Sequence, residues 1–92
     1  MDTSEHHEHE LHVIVFSLRT PEPKEFTWEP TMTIGAAATA AASAFGYEPG
    51  NFGLETTGEH GHVLENNKTL EGEQIHDGEK LELISTGGGV HG

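Results

Sequence analysis

Apolar and polar positions divide the chain into a short series of elements. Residues 1–10 have no aliphatic side chain after Met1 and carry four acids and three histidines, so they read as an acidic tail. Leu11 to Leu18 is a run of apolar and β-branched residues and predicts a strand. Pro21 and Pro23 mark Arg19 to Lys24 as a loop. Glu25 to Glu29 alternates, with Phe26 and Trp28 on one face. Two strands around a short loop predict an antiparallel hairpin, and Trp28 is assigned to the core. Pro30 stops the second strand, and Thr33 is placed to cap a helix over Ile34 to Phe45. Gly46 then stands at the C′ position. Ile34, Ala38, Ala41 and Phe45 share one face of that helix, and Thr39 and Ser43 lie on another. Its seven alanines favour helix and make it thin, so it can approach a sheet closely. The helix has no charged residue. That bareness reads either as helix propensity or as a smooth docking face.

The second half of the chain is more broken. Phe52 to Thr57 predicts a short strand, Gly58 to His62 a turn, and Val63-Leu64 a very short strand. Asn66-Asn67 is turn chemistry. Thr69 to Gly78 is irregular, anchored by Leu70 and Ile75. Lys80 to Ile84 alternates and reads as the last strand, and Ser85 to Gly92 as a flexible Gly-rich end. Tyr47 and Phe52 flank the helix–strand turn and are expected to close one end of the core. The order β-β-α-β-β-β, with one Ala-rich helix across a mixed sheet, is an α+β roll of the β-grasp type. It makes one domain, 11–84, between a tail at 1–10 and a tail at 85–92.

Composition sharpens the picture. Leu, Ile, Val and Phe make up only about a fifth of the 92 residues, and the formal charge is −12. Together these approach the signature of a disordered chain. A domain of this size holds one thin core and no deep enclosed pocket, which counts against a self-contained enzyme. Only four basic residues are present, so nucleic-acid binding is not expected and an anionic membrane would repel the chain. No apolar run is long enough to span a bilayer, and the acidic start is not a signal peptide. With no cysteine there is no disulfide, thiol nucleophile or Cys-based zinc site. A cytoplasmic protein with protein partners that present basic surfaces is the expectation.

Trp28-Glu-Pro-Thr-Met-Thr-Ile34 is similar to ubiquitin's Val-Glu-Pro-Ser-Asp-Thr-Ile, and Val63-Leu-Glu-Asn-Asn-Lys-Thr-Leu70 to its Gln-Leu-Glu-Asp-Gly-Arg-Thr-Leu. Ile75, Leu81 and Leu83 follow Thr69 at matching spacings, and Gly87-Gly88-Gly89 falls where the ubiquitin tail ends in Gly-Gly. The resemblance covers Leu11 to Gly89. The short acidic lead, the Ala-rich helix and the brief extension after the glycines resemble bacterial ubiquitin-like modifiers encoded beside activating, conjugating and deconjugating enzymes.

The resemblance implies a protein modifier with no catalytic side chain of its own. Its partners would be an activating enzyme, a conjugating enzyme, a processing peptidase and target proteins. It would bind no cofactor, because the activating enzyme uses the ATP. Conjugation joins a C-terminal carboxylate to AMP and then passes the acyl group through an enzyme nucleophile to a target amine. Glycine suits such an end, because without a Cβ the backbone can thread a narrow channel. Gly87, Gly88 and Gly89 are therefore the expected activation residues, with cleavage between Gly89 and Val90. Gly92 as the mature end is the rival, although His91 departs from Gly-Gly. Leu54, Ile84 and Thr86 are the expected partner contacts. Glu55 and Glu82 stand where ubiquitin carries apolar and His patch residues, and Ile84 and Leu18 are what remains of the patch, so ordinary ubiquitin-binding domains are expected to bind poorly. Lys24, Lys68 and Lys80 are the lysines, and modification by one unit is expected over long chains.

The clusters His6-His7-Glu8-His9 and Glu59-His60-Gly61-His62 contain metal-ligating side chains. Neither has a zinc-site spacing, and solvated surface is expected. Two further functions share the β-grasp scaffold: a sulfur carrier of the thiamine or molybdopterin type, and a non-covalent adaptor. Such carriers end at Gly-Gly, so Val90 to Gly92 argues against the first. Fold alone does not separate the three.

Overall fold

The computed structural model describes residues 10–86. Strands β1 (Leu11–Ser17) and β2 (Thr20–Trp28) precede helix α1 (Ile34–Ala44), and β3 (Phe52–Thr56) and β4 (Glu79–Ser85) follow it. The sheet order is β2-β1-β4-β3. β1 is antiparallel to β2 and parallel to β4, and β4 is antiparallel to β3. This mixed sheet with one helix over its inner face is the β-grasp arrangement that the pattern predicts.

Alternation decides which side chains face the helix. Val13, Val15 and Ser17 of β1 turn inward and are buried, as are Leu81 and Leu83 of β4 and Leu54 of β3. Leu11, Phe26 and Trp28 complete the inner layer beside β1, and the Phe26 and Trp28 rings stack at 4.8 Å. Ile34, Ala37, Ala38, Ala41 and Ala42 of α1 meet this layer. Ala37, Ala38 and Ala41 keep no exposed surface, so the helix backbone lies close to the strands. Leu64, Leu70 and Ile75 close the side from the irregular segment. Tyr47 and Phe52 meet edge to face at 5.3 Å at the other end, where they were expected.

Both helix ends follow the sequence signals. The Thr33 Oγ1 accepts from the Ala36 N–H at 3.2 Å. The Gly46 N–H donates to the Ser43 carbonyl and the Tyr47 N–H to the Ala42 carbonyl, with Gly46 at φ 87°. This six-residue closure needs a left-handed residue, which glycine supplies without a Cβ clash. The helix itself ends at Ala44, one residue before the expected Phe45.

Two expectations are corrected. The Pro21–Pro23 segment is not a loop but part of β2, which starts at Thr20 directly after a two-residue turn at Leu18-Arg19. β2 is the outermost strand, so one side of its ladder is unpaired and proline's missing donor costs little there. The register also shifts between Val15 and Ser17, beside the prolines. Leu18, expected in the first strand, is 90% exposed in that turn. The predicted Val63-Leu64 strand reduces to a single bridge between Glu55 and Val63. After Leu64 the chain turns at once, because the Asn66 carbonyl accepts from Gly35 N–H at 3.0 Å and the Asn66 Nδ2 donates to the Phe52 carbonyl at 2.9 Å.

One clip ties the start of β1 to the loop before β4. The Asp77 Oδ1 accepts from the His12 backbone N–H at 2.7 Å and lies 2.9 Å from His12 Nδ1. The Gly78 N–H donates to the His12 carbonyl at 2.6 Å. The His12 backbone donor, and then its ring, hold the Asp77 carboxyl below its ordinary range.

Candidate functional site

The site is the end of the sheet at which β4 finishes, just before Gly87-Gly88-Gly89 in sequence. β4 runs between β1 and β3, so its last residues are held from the β3 side after β1 has turned away at Ser17. Ser85 opposes Phe52, and the Thr86 N–H donates to the Asn51 carbonyl at 2.9 Å. Thr86 is the last described residue and is half-buried. The activation residues Gly87, Gly88 and Gly89, the cleavage position at Gly89 and Val90, and Gly92 lie outside the described residues.

Of the three expected partner contacts, Ile84 is on the outer sheet face opposite Gly53, and Thr86 is beside it. Leu54 is corrected: it opposes Leu83 on the inner face and has 0% exposure, so it is core. One step of alternation separates it from the outer face of the sheet, where Gly53 and Glu55 stand instead. Leu18, expected beside Ile84 as a remaining apolar residue of the patch, is exposed. It lines a mostly apolar groove of about 370 Å³ with Tyr47, Phe52, Leu83 and Ile84, and Glu82 stands at its wall. The groove opens because β4 continues past Phe16, its last partner in β1. A second groove of about 290 Å³ lies on the other side of the Tyr47–Phe52 pair, against Thr39, Ser43, Pro49 and Gly50. The uncharged helix surface therefore does border a concave surface.

Charge is uneven across this end. Glu55 and Glu82 are direct cross-strand neighbours on the outer face, an arrangement that repels. The cations near the groove end are occupied elsewhere. The Arg19 guanidinium lies 4.7 Å from the centre of the Tyr47 ring and donates to the Gly46 carbonyl at 3.1 Å. The Lys24 Nζ lies 5.7 Å from the Phe45 ring centre. Lys68 and Lys80 are exposed. Among the described residues the ion pairs are His–carboxylate contacts and no Lys or Arg joins one.

The Glu59-His60-Gly61-His62 cluster is solvated, with His60 Nε2 at 3.8 Å from Glu59 Oε1. No group of three or more His, Cys, Asp or Glu side chains converges among the described residues. The His6-His7-Glu8-His9 cluster lies outside them. No helix among the described residues is long and apolar enough to cross a membrane. Sequence reasoning missed Gly53, although a lone glycine inside a strand pattern signals close approach of another group.

A mixed sheet, one helix across it and a last strand placed between the first and third define the class of ubiquitin-like β-grasp proteins. Solved structures bear this out. A ubiquitin from Caldiarchaeum subterraneum aligns with 27% identity over 87% of this chain and 99% of its own, with a TM-score of 0.69. A de novo designed protein based on ubiquitin aligns with 21% identity over 91% and 98%, with a TM-score of 0.72. A protein described by molecular mimicry of SUMO that promotes DNA repair aligns with 12% identity over 88% and 98%, with a TM-score of 0.71. The chain has the ubiquitin-like fold. No protein-family model matches the sequence, and no curated protein matches it.

Proposed function

We propose that the chain is a protein modifier whose Gly89 carboxylate, exposed by removal of Val90 to Gly92, is adenylated and then conjugated to target proteins. The observation that carries this reading is the placement of Thr86. Its backbone is the last rung of the β3–β4 ladder among the described residues, and Gly87-Gly88-Gly89 follows immediately in sequence. A reactive end three residues from a rigid sheet can be presented without a catalytic side chain on the chain itself. The likeness to an archaeal ubiquitin over nearly its whole length supports the same reading.

The chemistry divides into three displacements. The carboxylate oxygen attacks the α-phosphorus of ATP on the activating enzyme, and pyrophosphate leaves. An enzyme nucleophile then attacks the acyl carbon and AMP leaves. Finally a target amine attacks and releases that nucleophile, directly or through a conjugating enzyme. The chain binds no cofactor in this scheme and works in the cytoplasm. The groove beside Leu18 and Ile84 and the Glu55–Glu82 pair suit enzymes that offer an apolar side chain next to a basic one.

The test follows the intact mass of the full chain mixed with a processing peptidase, the cognate activating enzyme and ATP. Loss of Val90 to Gly92 followed by a covalent adduct is the expected result. A gain of sulfur in place of oxygen would instead mark a sulfur carrier. Gly88→Trp together with Gly89→Trp abolishes adduct formation. A double variant that still forms the adduct, or keeps its biological activity, excludes conjugation through this end.

A further inference from the structure

Gly53 lies inside β3 on the outer face of the sheet, yet it is buried. Its φ is not positive, so the chain has no torsional need for glycine there. The need is for space. A Cβ at Gly53 would lie 2.9 Å from Thr86 Cγ2, 3.5 Å from Asn66 Oδ1 and 3.6 Å from Ile84 Cγ1. The Thr86 methyl group thus occupies the volume that a side chain of β3 would take. Two further bonds frame the same spot. The Thr86 N–H donates to the Asn51 carbonyl at 2.9 Å, one step beyond the Phe52–Ser85 pair. Asn66, which walls the third side, is held by its 2.9 Å bond to the Phe52 carbonyl.

We propose that Gly53, Asn51 and Asn66 form a seat for Thr86 that fixes where the C-terminal segment leaves the sheet, which makes Gly53 a positioning residue for the chemistry at Gly89. The seat stands on geometry alone, and the positioning role rests on the conjugation reading. Three residues separate Thr86 from Gly89, a span of at most about 11 Å for an extended chain. With Thr86 seated, the Gly89 carboxylate stays within that radius of a fixed point. With Thr86 unseated, the fixed point retreats toward Ile84 and the radius grows by about 3.5 Å per residue released. Each released residue must then be ordered when the segment enters an enzyme channel. Such a loss falls on KM, because the bound acyl group and its chemistry are unchanged.

Two variants test this. Gly53→Ala places a methyl group in the seat. Adding Thr86→Ser removes the Cγ2 atom that it strikes. In the full chain, Gly53→Ala speeds hydrogen exchange at the Thr86 amide by about tenfold or more, while the Leu81 and Leu83 amides stay protected. The pair Gly53→Ala with Thr86→Ser restores slow exchange at residue 86. With the activating enzyme and ATP, Gly53→Ala raises KM by about tenfold with kcat within about twofold, as ordering one further residue requires. The double variant recovers the original KM. An unprotected Thr86 amide in the unaltered chain, or no change on Gly53→Ala, overturns the seat. Loss of protection with KM unchanged overturns the positioning role. If the unaltered chain is never adenylated, the positioning role falls with the conjugation reading, and the exchange data alone decide the seat.

Discussion

Single atoms carry much of the order in a domain this thin. Asp77 is a surface carboxylate, yet it accepts from both the backbone and the ring of His12, 65 residues away in sequence. Because its folded-state pKa is held down, folding favours the charged form. The stabilisation is therefore whole above the ordinary aspartate value of 3.8 and disappears as pH falls through the lower folded-state value. Asp77→Asn keeps the shape and removes the charge. It should lower the thermal midpoint near neutral pH and flatten its decline on acidification below about pH 4, both read from circular dichroism melts across pH. An unchanged acid limb would show that the clip contributes nothing. No sequence pattern announces this pair, because His12 and Asp77 meet only through the parallel β1–β4 crossover. Gly53 differs. A glycine inside a strand is a local signal that the sequence reading passed over, and only the position of Thr86 explains it. Leu54 marks the opposite failure, in which the strand was read correctly and the face was not.

At the scale of elements, local chemistry was most legible where one residue type does one task. Thr33 and Gly46 bracket α1 because a hydroxyl at the N-cap and a left-handed C′ are local requirements. The Pro21–Pro23 segment was misread because proline forbids a strand only where its donor is needed. Whether it is needed depends on which strand lies outside, a property of the whole sheet. Helix α1 also separates its two readings by face. Ala38 has no exposed surface against the sheet, whereas Ala36 is exposed. Ala38→Leu should cost about 1–3 kcal/mol, since the strands are too near to admit three more carbons. Ala36→Glu should change stability by about 0.5 kcal/mol or less. Urea unfolding of both variants measures the contrast, and equal losses would mean that α1 does not press on the sheet. Binding assays with the Ala36→Glu protein then ask separately whether the bare face meets a partner.

For the whole molecule, the composition that began near the border of disorder proves to be an average. Residues 10–86 include an inner layer from Val13 to Leu83 with almost no exposed apolar surface, and most of the acids lie outside it. The charge of −12 makes copies repel one another at long range. The sheet adds a short-range safeguard at each margin. At β3, the Glu55–Val63 bridge and the bonds from Thr56 N–H to the His62 carbonyl and from Leu64 N–H to the Leu54 carbonyl cover the open edge. At β2, the edge is open but carries Pro21 and Pro23. A neighbouring strand that tried to add there would find two donors missing within three residues. Replacing Pro21 with Thr and Pro23 with Val should leave the fold intact and produce soluble oligomers that grow with concentration, seen by static light scattering. If that protein stays monomeric, the prolines have no such duty. If it does not, the two residues that most resembled a break in the strand are what keeps the sheets of separate copies from joining edge to edge.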